Sequence, residues 1–169
     1  AVEHLISLGH RRIGMISGPE HISTAALRLK GYRSALEDAN IQIDSNLISM
    51  ANFRQDGGYQ AMQELLALPD RPTAVISSNN LMTLGALQAI HEKCVKIPDE
   101  VAVVGFDDMP WAASLQPPLT VVAQPTYEIG TAAANLLLDR IDNPERPTRR
   151  ITLETELIVR GSTASPDCN

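Results

Sequence analysis

Apolar residues in this chain gather in short runs, and stretches of helical spacing separate them. Residues Ile13–Ser17 (IGMIS) read as a strand, ended by Gly18-Pro19. Ser23 or Thr24 is then placed to cap a helix in which Leu29, Tyr32, Leu36 and Ala39 recur at helical intervals. Residues 47–51 make a weaker strand signal. A helix over 58–68 follows on Met62, Leu65 and Leu66, stopped by Pro69. Residues 73–77 (TAVIS) are a clear strand, and Asn79 or Asn80 is placed to cap a helix reaching about residue 93. Residues 101–106 (VAVVGF) form the next buried strand, with a turn or short helix at 110–115 and a strand at 119–123. The longest helix spans 126–141, and 151–159 alternates like a closing strand. Strands separated by helices of this length imply right-handed crossovers and a parallel sheet flanked by helices, an α/β fold. No internal repeat and no low-complexity segment interrupts the pattern.

The chain has 169 residues, of which 44% are hydrophobic and 20% charged, as in an ordinary globular protein. Its formal net charge of −6 should repel nucleic acid, so DNA binding would need a basic module outside it. Two cysteines, Cys94 and Cys168, are too few for a disulfide scaffold and suit a reducing compartment, the cytoplasm. No run approaches the roughly 20 apolar residues of a membrane span. The opening AVEHLISLGH reads as a helix already under way, which points to a fragment of a longer protein.

In such sheets ligands bind beyond the carboxyl ends of the strands. There the chain places Gly18-Pro19, Phe53, Ser78-Asn79-Asn80, Asp107-Asp108 and Gln124, a rim suited to a hydroxyl-rich ligand. Adjacent residues of an extended chain point to opposite faces, so Asp107 and Asp108 should not share one proton or bond. Asp107, at the strand tip, is the ligand-holding candidate, and Asp108 is expected to cap or hold the following turn. Arg28 lies one turn inside its helix, and its rigid fork suits bidentate bonding to hydroxyls or carboxylates; on spacing alone it equally fits a surface position.

His4, His10, His21 and His91 have no metal-ligand spacing and are expected to be solvated. The loop GPEHIST has one glycine and cannot wrap phosphate, and no GxSxG, Walker or GxGxxG motif occurs. Neither enzyme activity, metal nor cofactor is expected. Arg146, Arg149 and Arg150 read as a solvated connection.

The succession HLISLGHRRIGMISGP, ALRLKGYRSALEDANI, RPTAVISSNNLMTLGALQAI, IPDEVAVVGFDD and PPLTVVAQPTYEIGTAAANLLLDRI resembles the lactose-repressor type (LacI/GalR) transcriptional regulators. The resemblance covers about residues 4–163. It implies a sensor of periplasmic-binding-protein fold, here the C-terminal half of its two-lobed core. On this reading 1–124 is the C-terminal lobe, 125–150 a return segment to an N-terminal lobe, 151–163 the closing strand and 164–169 a tail. The family's DNA-binding module lies outside the chain.

Carried over by position, the resemblance makes Arg28, Asp107, Phe53, Thr24, Asn79 and Gln124 ligand-binding residues. It further implies hinge closure on a small effector in a homodimer that reaches operator DNA through the missing module. The family's subunit contact involves the helix after SSNNLM and the segment before PPL. Leu84, Leu87 and Leu115 are the candidates, with Met82, Ala86, Ala89 and Ile90 as the core-facing stripe; core packing is the alternative for all three.

Two departures shape the effector. Asn80 stands where many members carry aspartate, and Ile22 where the purine-responsive member carries arginine, which favours a sugar or sugar acid over a purine. Trp111 could face the site, the subunit contact or the core. A transporter's sugar-binding protein, sharing the fold, is the rival reading.

Overall fold

β1 (Ile13–Ser17) and β3 (Ala74–Ser77) are buried along their whole length, and β4 (Ala102–Phe106) everywhere except Phe106. Strands without a polar face need cover on both sides, which helical crossovers in a parallel sheet supply. The computed structural model describes residues 1–166 and has this arrangement. Cys168 and the rest of the tail from 167 lie outside the described residues.

With β2 (Ile48–Met50), β5 (Thr120–Ala123) and β6 (Glu156–Ile158), the sheet runs in the order β2-β1-β3-β4-β5-β6. The first five strands are mutually parallel, while β6 lies antiparallel to β5 with Val122 opposite Leu157. The sheet is thus mostly rather than wholly parallel. Glu156 pairs with Ala123 at the carboxyl end of β5, so the chain enters β6 from that end and can only run back down the edge. Residues 151–155 pass beyond the end of β5 and have no strand to pair with, which shortens the predicted closing strand to three residues.

One face of the sheet is covered by α1 (Val2–Ser7) and α2 (Ser23–Asp38), whose Leu5, Leu29, Tyr32 and Leu36 pack with Ile13, Met15, Ile76 and Val104. The other carries α3 (Gln55–Leu66) and α4 (Asn80–Glu92), with Met62, Leu65, Met82 and Ile90 against Ile16, Val75, Val103 and Val121. Helix α3 begins before the predicted residue 58 because Gly57 and Gly58 lie inside it. A Cβ on Gly58 would strike the Met82 backbone, and one on Gly85 the Gln55 carbonyl, so the two helices cross at backbone contact.

The expected serine or threonine cap of α2 is absent. Ile22 occupies that position, and its carbonyl accepts from Ala26 N at 3.0 Å. Asn79 does cap α4, its Oδ1 accepting from Met82 N at 2.9 Å.

His10 is not solvated. It is fully buried, hydrogen-bonded through Nδ1 to Thr73 Oγ1 (2.9 Å) and through Nε2 to the Ala164 carbonyl (2.8 Å). Gly9, at φ 101°, turns the chain so that His10 passes beneath the C-terminal segment. His4, half-buried, meets Thr163 Oγ1 at 3.0 Å, whereas His21 and His91 are exposed as expected.

α5 (Thr126–Asp142) contributes no buried residue. Beyond it, Arg146 and Arg149 are exposed and both pair with Asp139. No helix among the described residues is long and apolar enough to cross a membrane.

Candidate ligand-binding site

Helix α2 starts at the carboxyl edge of the sheet, and its sixth residue, Arg28, leans back over that edge. The guanidinium carbon sits 3.7 Å from the centroid of the Phe106 ring, and Nη1 donates to the Ser78 carbonyl at 2.5 Å. A cation over an aromatic face is held by the ring's quadrupole, and this one is also half-buried. Burial lowers the Arg28 pKa, and the charge of Asp107 opposes that shift. Arginine stays charged regardless, so the edge carries a fixed cation with donors still available.

Asp107 follows Phe106 in the left-handed region, φ 74°. A side chain there is strained, though aspartate tolerates the region better than most residues. The strain is held by hydrogen bonds: Asp107 N donates to Val122 O at 2.9 Å, and Gln124 Nε2 donates to Asp107 Oδ1 at 2.6 Å. The other carboxylate oxygen has no partner among the described residues and is available to a ligand hydroxyl. Arg28, Asp107 and Gln124 thus form a cation, an acceptor and an amide at one strand edge.

Phe53 is likewise left-handed, φ 62°. Its ring lies against Gly18, where an added Cβ would fall into the ring. Its carbonyl accepts from Asn79 Nδ2 at 3.0 Å. Both ends of the Asn79 amide are therefore engaged, one by Phe53 and one by the α4 cap, so Asn79 orients the aromatic. Thr24 is exposed on the first turn of α2 and takes no part in these contacts. Asn80 places its amide nitrogen 3.4 Å from Met109 Sδ.

Asp108 points away from Asp107 and caps no helix. Both its oxygens are taken by Arg160, at 2.8 Å to Nη1 and 2.8 Å to Nη2. Sequence reasoning missed Phe106 and Arg160. Phe106 was legible as an aromatic ending an apolar run next to the candidate carboxylate. Arg160, 52 residues from Asp108, left no local signal.

An apolar cavity of about 300 Å³ lies beside Arg28, walled largely by Val2, Met15, Tyr32, Ile76, Phe106 and Val122. Its walls resemble a gap in the core more than a hydroxyl site. On the opposite face of the sheet, Leu87 and Leu115 line a groove of about 600 Å³ with Val95, Ile97 and Pro117. Leu84 is half-buried on the same helix, and Met82, Ala86, Ala89 and Ile90 form its buried stripe as expected. Trp111 is half-buried and packs on the core.

Residues 2–163 match the model of the periplasmic binding protein-like domain. The HTH-type transcriptional repressor CytR of Escherichia coli (strain K12) is 41% identical over 163 residues, 96% of this chain and 48% of that protein. This chain belongs to the periplasmic binding protein-like family, in its LacI-type branch. A solved transcriptional regulator CelR–cellobiose complex superposes with a TM-score of 0.90 at 43% identity, covering 96% of this chain and 50% of that one. A LacI family regulator from Enterococcus faecium with bound ribose gives 0.88 at 33% identity, covering 98% and 61%. The LacI-type chain described here spans about half the length of the curated relatives it matches.

Proposed function

We propose that this chain is the ligand-sensing part of a LacI-type transcriptional repressor, and that its ligand is a small sugar or sugar derivative. The observation that carries this reading is the group at the carboxyl edge: Arg28 held over Phe106, beside an Asp107 carboxylate with one oxygen free. A polyol matches that pairing, since hydroxyls donate to the carboxylate and accept from the guanidinium. Phe53 supplies an aromatic face for the apolar side of a sugar ring, and Gln124 a second polar contact. Thr24 sits at the rim and Asn79 behind Phe53. The cellobiose and ribose bound by two structural neighbours support a sugar over a purine.

The second wall of the site belongs to a part of the regulator outside this chain. Ligand contacts to both lobes favour one lobe orientation, and hinge closure then alters DNA binding by modules elsewhere in the dimer. The groove lined by Leu87 and Leu115, with Leu84, is the proposed contact between subunits. The matching relatives are repressors, which supports a regulator over a transporter's binding protein and over an enzyme.

The test uses a full-length protein carrying both lobes. Thermal unfolding is recorded against pentoses, hexoses, disaccharides, sugar acids and purine nucleosides, with Asp107→Ala as control. A sugar-specific rise in Tm that disappears in the variant supports the reading. A rise indifferent to Asp107, or one given only by purines, would sink it.

A further inference from the structure

The tandem carboxylates are each tied to a different stretch of chain. Gln124, which holds Asp107, stands between β5 and α5, where the chain leaves the sheet. Arg160, which holds Asp108, stands just past β6, where the chain has returned. Arg160 is itself fixed. Its Nη1 also donates to the Leu119 carbonyl at 2.9 Å, its backbone N donates to Thr120 Oγ1 at 2.9 Å, and its own carbonyl accepts from that hydroxyl at 3.1 Å. The side chain is only 18% exposed, so the fork is not a loose surface arm.

We infer that Arg160 is a positioning residue for ligand binding: by clamping Asp108 in a two-pronged ion pair, it fixes the left-handed turn that aims Asp107 at the ligand. The inference rests on the proposed role of Asp107. The turn gains from such a clamp because φ 74° at Asp107 is unfavourable and the backbone holds it through two bonds, Asp107 N to Val122 O at 2.9 Å and the longer Met109 N to Asp107 O at 3.2 Å. Gln124 restrains the side chain but not the turn. Asp108 is the adjacent residue, so holding both its oxygens restrains the position of its Cα and, through it, the peptide that leaves Asp107. Arginine suits the task because its planar fork matches both carboxylate oxygens, which lysine cannot do. The hydrogen bonds from Arg160 also hold the Asp108 carboxyl below its ordinary pKa and raise that of Arg160.

The experiment compares full-length wild type, Arg160→Met, Asp108→Asn, the reversed pair Asp108→Arg/Arg160→Asp, and Asp107→Ala. Two quantities are read: affinity for ribose and for cellobiose by calorimetry, and hydrogen exchange at the Asp107 amide relative to the Val103 and Val121 amides. Arg160→Met and Asp108→Asn are expected to weaken sugar binding about tenfold and to speed exchange selectively at Asp107. The reversed pair is expected to recover part of both. An even loss of protection across β4 and β5, or unchanged exchange at Asp107, overturns the inference. If Asp107→Ala binds sugar like wild type, the ligand reading fails; if wild type binds neither sugar, the sugar that raises Tm in the thermal screen takes their place. In both cases exchange at Asp107 decides whether Arg160 sets the turn. Should Arg160→Met not fold, Arg160→Lys takes its place; it keeps the charge, and the same selective exchange is expected.

Discussion

Phe106 illustrates how much one side chain can decide at the edge of a sheet. Its ring carries the Arg28 guanidinium at 3.7 Å, so shortening it to leucine removes the cation's platform while leaving an apolar residue in place. Such a contact is worth about 1 kcal/mol when partly desolvated, or roughly fivefold in affinity. Phe106→Leu in the full-length protein is therefore expected to weaken sugar binding about that much, and Phe106→Tyr to keep it; titration calorimetry measures both. His10 acts on stability instead. Burial among apolar groups lowers its pKa below the ordinary value of about 6.5, with the Ala164 hydrogen bond opposing and His4 adding to the shift. A depressed folded value means that the neutral ring is the stable one. Its contribution is fully present above about pH 6.5 and is lost as pH falls towards and past the folded value. Urea unfolding near pH 8 and near pH 5 is expected to show a larger acid loss in wild type than in His10→Gln, whose amide cannot charge. Equal losses would mean that His10 takes up its proton as readily folded as unfolded, so that burial does not depress its pKa.

At the scale of elements, the crossing of α3 and α4 is set by two glycines. Gly85→Ala would push a methyl into the Gln55 carbonyl, a backbone atom that cannot swing aside. Overpacking of this kind costs about 1–3 kcal/mol, and a lowered urea midpoint with unchanged slope would register it. The strands were legible because both their faces are apolar: Ile13–Ser17 reads the same in sequence and structure, and the strand expected at 73–77 runs Ala74–Ser77. The first turn of α3 was hidden by its glycines, and the lack of a partner for 151–155 could not be seen in an alternating pattern. The site divides in the same way. Asp107 and Gln124 were picked out as candidates from their place at strand ends and Arg28 from the family resemblance, and the structure brings the three side by side. The backbone turn at Phe53 and the Asp108–Arg160 clamp were not, since both depend on contacts distant in sequence. His10 was misread because a lone histidine between elements carries no periodic signal.

The molecule as a whole is unevenly packed, and α5 is where this shows. Tyr127, Ile129, Leu137, Leu138 and Ile141 are all exposed, and the helix has no buried residue. Helices of this length are marginal in water without an apolar face to bury. The ion pairs from Arg146 and Arg149 to Asp139 add little, being largely exposed. Relatives are about twice as long as this chain, and the proposed second lobe is the part expected to cover α5. The 169-residue chain in dilute solution is therefore expected to exchange its α5 amides at least about a hundredfold faster than those of β1, β3 and β4, which sit in the core. In a full-length protein, protection of α5 should rise towards that of the sheet. Hydrogen exchange read by mass spectrometry separates the cases. If α5 is as protected as β3 in the short chain, a second copy covers its apolar face, and that protection will fall on dilution. Protection that is high and independent of concentration would mean that α5 packs on its own lobe, contrary to the exposure of its leucines.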